Sequence, residues 1–261
     1  MCNNNKIKMM KKIMCLGVLL IATMSCKKNA EASGSTETSQ DSPTETVRFI
    51  NGTYAVLTEQ NQGDYNLVGG HELSPENTAA CVAMLKSMWE INNLADGTKA
   101  VDELSGPGMH NPEFLKAVKD AGIDKMDQKK FDEELAKITS PDDKAYFTLL
   151  YKAYSDLGEN ALVGWDLGRA NFLIANFYLT KFYDQNTALD KGLEVSKKIQ
   201  KTFKSWDEFN KSYMYGYEFW SGDKPGSPKY EAKMSAIKKL QDDSNSPYHV
   251  DWKVALKKDW K

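Results

Sequence analysis

Arginine is almost missing: of the 34 basic side chains in this 261-residue chain, only Arg48 and Arg169 are arginine. With a net charge of −2 and no arginine cluster, the chain lacks the dense cationic surface that phosphate neutralisation requires, so nucleic acid is set aside as a partner. Histidine is scarce too. His71, His110 and His249 show neither H-x-H nor H-E-x-x-H spacing, and the acids Asp142-Asp143 and Asp242-Asp243 are adjacent rather than alternating as in a calcium loop. No metal site is read from them. There is no phosphate-binding glycine loop and no G-x-S-x-G elbow, and no cofactor is expected. No stretch alternates apolar and polar residues between hairpin turns, so strands are minor at most.

Cysteine is sparse in a way that points to an address. The basic stretch MMKK precedes a 12-residue apolar run, Ile13 to Met24, too short to span a bilayer of about 30 Å but suited to a secretory signal core. The TMSC that follows resembles the lipobox of bacterial lipoproteins, particularly of the Bacteroidetes type. That resemblance implies a signal peptide over residues 1–25, with Cys26 as the lipidated first residue of the mature chain. Several acyl chains on one residue anchor stably, since each buried CH₂ contributes roughly 0.8 kcal/mol. With Cys2 and Cys15 in the signal and Cys26 taking lipid, Cys81 alone remains, so the exported part has no disulfide. Cys81 sits among apolar neighbours in ENTAACVAML and reads as a small buried hydrophobe.

Residues 26–46 are rich in Ser, Thr and Glu and have almost nothing to bury, so they read as a disordered tether; twenty such residues span roughly 25 Å. The first 25 residues carry four lysines and no acid, which leaves −6 on the rest of a chain whose total is −2. The expected location is the cell envelope, as an outer-membrane lipoprotein facing periplasm or exterior, held to the membrane by lipid on Cys26.

Residues 47–261 read as one all-α domain of about eight to ten helices. Ser74-Pro75-Glu76, Asn111-Pro112-Glu113 and Ser140-Pro141-Asp142 share one start signal: a capping oxygen, a proline whose missing N–H does no harm, and an acid favoured by the helix dipole. Ser205 with Glu208 forms a capping box, and Gly122 and Gly158 stand where helices should stop. The spacing predicts helices near 53–61, 75–92, 97–105, 112–121, 127–138, 141–157, 160–182, 187–203, 206–221 and 228–243. The closing SPYHVDWKVAL is irregular, with Tyr248, Trp252 and Leu256 available to dock on the bundle.

The segment ALVGWDLGRANFLIANFYLTKFY leaves no polar stripe wide enough to face water, so it predicts a central, buried helix. Asp166 and Arg169 lie i, i+3 on one side of it, and Asn176 continues that line. Where mere charge suffices this chain uses lysine, so arginine at 169 implies a geometric demand: a bidentate pair with Asp166 or another carboxylate, stacked on Trp165. Gly164 and Gly168 each cost about 1 kcal/mol of helix propensity, which implies another backbone or a ring close by. The favoured reading is a desolvated structural pair that sets helix register. The alternative makes Asp166 a general base or nucleophile and Arg169 an anion clamp, with His110.

GWDLGRANFLIANFYL, SWDEFNKSYMYGYEFWSG and SPYHVDWKVAL are similar to the family called domain of unknown function 1266, whose members show a WD-x-GR helix, a SW-x-x-(F/Y) segment leading to a G-x-x-FW turn, and a closing SPW…W motif. The corresponding residues are Trp165, Asp166, Gly168 and Arg169; Ser205, Trp206 and Phe209; Gly216, Phe219 and Trp220; and Ser246, Pro247 and Trp252. Trp89, Ile91 and His110 match upstream features. Tyr248 stands where the family often has tryptophan, and Met109 splits the family's G-H pair. The resemblance implies an all-α fold and supplies no activity.

Tyr213, Tyr217 and Trp220, at i, i+4 and i+7 in YMYGYEFW, are candidates for an aromatic partner patch rimmed by Asp223 and Lys224. The function expected from the sequence is a lipid-anchored, non-catalytic helical module that works through an unidentified envelope protein or ligand. A hydrolase-like enzyme using Asp166 and Arg169 in a helical cleft is the rival, and a purely structural envelope lipoprotein is a third reading.

Overall fold

Capping chemistry sets the element boundaries. The computed structural model describes residues 42–260, so the signal segment, Cys26 and most of the tether lie outside the described residues. Within them the chain forms α1 (Glu45–Gly52), α2 (Ala55–Gln60), α3 (Pro75–Trp89), α4 (Leu94–Ser105), α5 (Asn111–Ala121), α6 (Gln128–Lys137), α7 (Pro141–Leu157), α8 (Val163–Leu179), α9 (Gln185–Thr202), α10 (Trp206–Ser221) and α11 (Pro228–Asp242), with no strand among the described residues. Side-chain oxygens of Thr44, Ser74, Asn93, Asp127, Ser140, Asp184, Ser205 and Ser227 accept the early N–H groups of their helices. Gly122 and Gly222, both left-handed, stop α5 and α10.

Helix α1 corrects the tether boundary. Thr44 caps it, Thr46 is buried, and Val47, Phe49 and Ile50 face the core, so 45 and 46 belong to the domain. The correction raises the helix count above the eight to ten read from sequence. Its Arg48 is not idle either. Nη2 donates to the carbonyls of Asn245 (3.0 Å) and Ser246 (3.1 Å), fastening the closing segment to the first helix. That segment docks as its large apolar groups suggest. Tyr248, Trp252 and Leu256 are buried, and Trp206 and Trp252 donate indole N–H groups to the carbonyls of Val250 and Phe203.

Helix α8 is the axis. It buries residues on every side, and α4, α9 and α10 pack along it, with α3 laid across. Close approach to α10 depends on glycine. At Gly164 a Cβ would lie 2.8 Å from the Phe209 carbonyl oxygen and 2.9 Å from the Ser212 Cβ; at Gly216 a Cβ would overlap Trp165 Cβ and Cγ. Two apolar clusters result. The larger surrounds α8; the smaller joins α5, α6 and α7 to Ala161, Leu162 and Phe219. The start of α8 therefore sits at the seam between them.

Helix α10 also carries Glu218, whose carboxyl is pushed up to about 7 by partial burial, opposed by Lys152 and Lys224. A carboxyl with a raised folded pKa binds more protons folded than unfolded, so stability falls as pH rises from about 4.5 to about 7. Solvent screening at this partly exposed side chain reduces the effect to about 1 kcal/mol. Glu218→Gln is expected to remove that slope and to be the more stable protein at neutral pH, as urea unfolding at a series of pH values would show.

Candidate functional site

Helix α5 begins without a cap of its own. His110 precedes it, and the Asn111 side chain, predicted to cap it, does something else. The missing acceptor comes from α8. Asp166 Oδ2 accepts the backbone N–H of Asn111 (3.1 Å) and of His110 (3.1 Å), and Asp166 Oδ1 takes the His110 Nδ1–H at 2.6 Å. An anion at a helix N-terminus is favoured by both the free N–H groups and the macrodipole, which offsets the cost of a side chain only 1% exposed. Gly108 has φ +84°, and a Cβ there would come 2.8 Å from Asp166 Oδ2. Only glycine fits that approach.

Asn111 returns the favour. Its amide donates to the Glu159 carbonyl (2.8 Å) and accepts Leu162 N–H (3.0 Å), while Ser212 Oγ accepts Gly164 N–H (2.8 Å). The starts of α5 and α8 thus cap each other across the seam. Such reciprocal capping couples residues more than fifty apart, and local spacing carries no trace of it.

Arg169 is not paired with Asp166, so the bidentate ion pair read from their i, i+3 spacing is corrected. The imidazole of His110 stands between them. Arg169 Nη1 donates toward His110 Nε2 at 3.5 Å, which places the ring proton on Nδ1, donating to Asp166. The guanidinium lies instead against aromatic faces, 4.2 Å from the centre of Trp89, 4.9 Å from Trp165 and 5.6 Å from Trp220. The physical reason is supply: α8 points its arginine at the place where α3 and α10 bring tryptophans, and the carboxylate is already consumed by α5. Burial lowers the Arg169 pKa to about 10, opposed by nearby Asp166. Among the described residues no carboxylate lies within ion-pair distance of Arg169.

Tyr213 and Tyr217, expected at a surface patch with Trp220, are buried, 1% and 4% exposed. That expectation is corrected. Helix α10 has α8 on one side and α7 on the other, so its aromatic excess fills two interfaces. Of the three, only Trp220 reaches solvent. Tyr213 meets Trp165 edge-on at 5.0 Å, and Tyr217 donates its hydroxyl to Asp223 at 2.6 Å. Lys233, missed in the sequence, is buried over the Tyr217 ring at 4.6 Å and donates to Gln60; desolvation lowers its pKa to about 8.

Asn176 leaves the line it shares with Asp166. Its carbonyl accepts the Cys81 thiol at 3.0 Å, and burial pushes that thiol up to about 12, far from a reactive thiolate. His249 contacts the Gln241 carbonyl, away from His110. Among the described residues no three His, Cys, Asp or Glu side chains converge as a metal site. Two surface hollows, one along α4 and one between α3 and Phe182, have neither His110 nor Arg169 in their walls.

The Trp165-Asp166, Gly168-Arg169 and Gly216-Phe219-Trp220 motifs all converge on this one seam, and the family model described as protein of unknown function (DUF1266) matches residues 84–252. The chain belongs to this DUF1266 family. The matched span runs from the α3 turn that carries Trp89 through the docked Trp252, so Arg169 and the residues named around it lie within it. Neither a curated protein nor a solved structure matches the chain.

Proposed function

We propose that this DUF1266 protein is a lipid-anchored, non-catalytic recognition module of the cell envelope, acting through a partner or ligand held by its helical domain. The observation that carries the non-catalytic reading is the use made of Asp166. Both carboxylate oxygens already accept hydrogen bonds, from two backbone N–H groups and one imidazole, and the side chain is out of reach of water. A general base needs a free lone pair within reach of a substrate proton, and a nucleophile needs an open line of attack. His110 Nε2, the remaining basic atom, faces Arg169.

The anchor rests on the sequence, in the apolar run followed by TMSC. None of the described helices is long and apolar enough to cross a membrane. Thr44, at the start of the described residues, donates its hydroxyl to Asp259, near their end, at 2.8 Å. Growing cells with a palmitate analogue is expected to label the wild type and not Cys26→Ala, with the variant moving to the soluble fraction. Equal labelling of both, or membrane retention of the variant, would count against the anchor.

A further inference from the structure

Arginine with no acid is the unusual feature of the seam. The Arg169 guanidinium offers five N–H donors, and among the described residues its one hydrogen bond is the long approach to His110 Nε2. Two more donors beside it are also without partners among the described residues: Trp165 Nε1 and the Tyr213 hydroxyl, both on buried side chains. Trp165 is the ring on which Arg169 rests, and Tyr213 meets that ring edge-on. A buried donor without an acceptor loses its hydration and gains nothing for it, so their gathering around one cation calls for an acceptor supplied from outside.

The seam is also reachable. Arg169, His110, Trp89 and Trp220 are each partly exposed, so solvent meets the cluster along an edge walled by indole rings. One wall is lightly held. Trp89 ends α3, a 15-residue helix that buries only Cys81 and Leu85, and Glu90 just beyond it is left-handed at φ +57°.

We propose that this edge is a binding site for a small planar carboxylate with an aromatic or apolar body. The guanidinium fork takes the two carboxylate oxygens, and Trp89 and Trp220 flank the flat remainder. Shape decides against inorganic phosphate: a fork matches either oxyanion, but indole walls reward a thin apolar body and give nothing to a tetrahedral, strongly hydrated one. Behind the fork, Trp165 Nε1 and the Tyr213 hydroxyl are the inner donors. The proposal rests on the recognition-module reading and names its ligand class.

Calorimetric titration of the full chain with benzoate tests it, with inorganic phosphate as the second probe. One saturable benzoate site per chain is expected, unaffected by phosphate. It weakens about ten- to a hundred-fold in Arg169→Gln and also in Arg169→Lys, which keeps charge and loses the fork. Trp220→Phe, at a partly exposed position, keeps the test open if the arginine variants fail to fold; a several-fold weakening is expected there. Absence of benzoate binding, benzoate affinity unchanged in the folded variants, or phosphate displacing benzoate would overturn the site. Release of benzoate from methyl benzoate by the chain would leave the site standing and overturn the non-catalytic reading. Failure of benzoate to bind leaves that reading intact.

Discussion

Asp166→Asn is expected to lower the free energy of unfolding by about 3–5 kcal/mol, the range for breaking a buried charged network from one side. The substitution is nearly isosteric, so volume is not the cause. Asparagine keeps one acceptor oxygen, but its NH₂ must then face either the His110 imidazole N–H or the paired N–H groups at the start of α5, all of which are donors. One helix start loses its cap, the imidazole loses the acceptor that fixes its proton on Nδ1, and Arg169 loses the imidazole orientation it leans on. Because the seam joins the two apolar clusters, the loss is expected to appear as one cooperative shift of the urea midpoint. Loss of a catalytic acid alone would abolish a reaction and leave the midpoint where it was.

Gly216→Ala carries the second large effect, and its sign opposes propensity. Alanine in a helix interior is favoured over glycine by about 1 kcal/mol, so an exposed helix would gain. At 216 the added methyl overlaps Trp165 Cβ and Cγ, which belong to the packed helix α8 and cannot swing away as a side-chain tip can. Overpacking of this kind costs about 1–3 kcal/mol and more when backbone must shift. A net loss of about 2–4 kcal/mol is expected, read by thermal unfolding. The near-ultraviolet circular dichroism should change with it, since Trp165 sits among Tyr213, Tyr217 and Trp220.

These two positions show what the sequence discloses and what it hides. The all-α class, the central buried α8 and the docked tail were legible because caps, prolines and apolar periodicity are local signals. So was the close approach at Gly164, where glycine in an otherwise apolar helix has no local justification. Helix α1 was hidden by composition, since Thr44, Glu45 and Thr46 continue a Ser/Thr/Glu-rich stretch; the clue lay just beyond, in apolar Val47 and Ile50 following a capping threonine. The partners of Asp166 were illegible. Spacing along α8 brought Asp166 and Arg169 together on paper, but the chain folds a histidine from 56 residues away between them. Aromatic density in YMYGYEFW likewise could not say that α10 is covered on two sides.

One carboxylate, that of Asp166, serves as the cap of a helix to which it does not belong. Amide hydrogen exchange at His110 and Asn111, compared between the wild type and Asp166→Asn, measures that role at the atoms concerned. Slow exchange at both amides in the wild type, lost in the variant while α9 stays protected, is the expected result. Equal protection at His110 and Asn111 in the two proteins would contradict it.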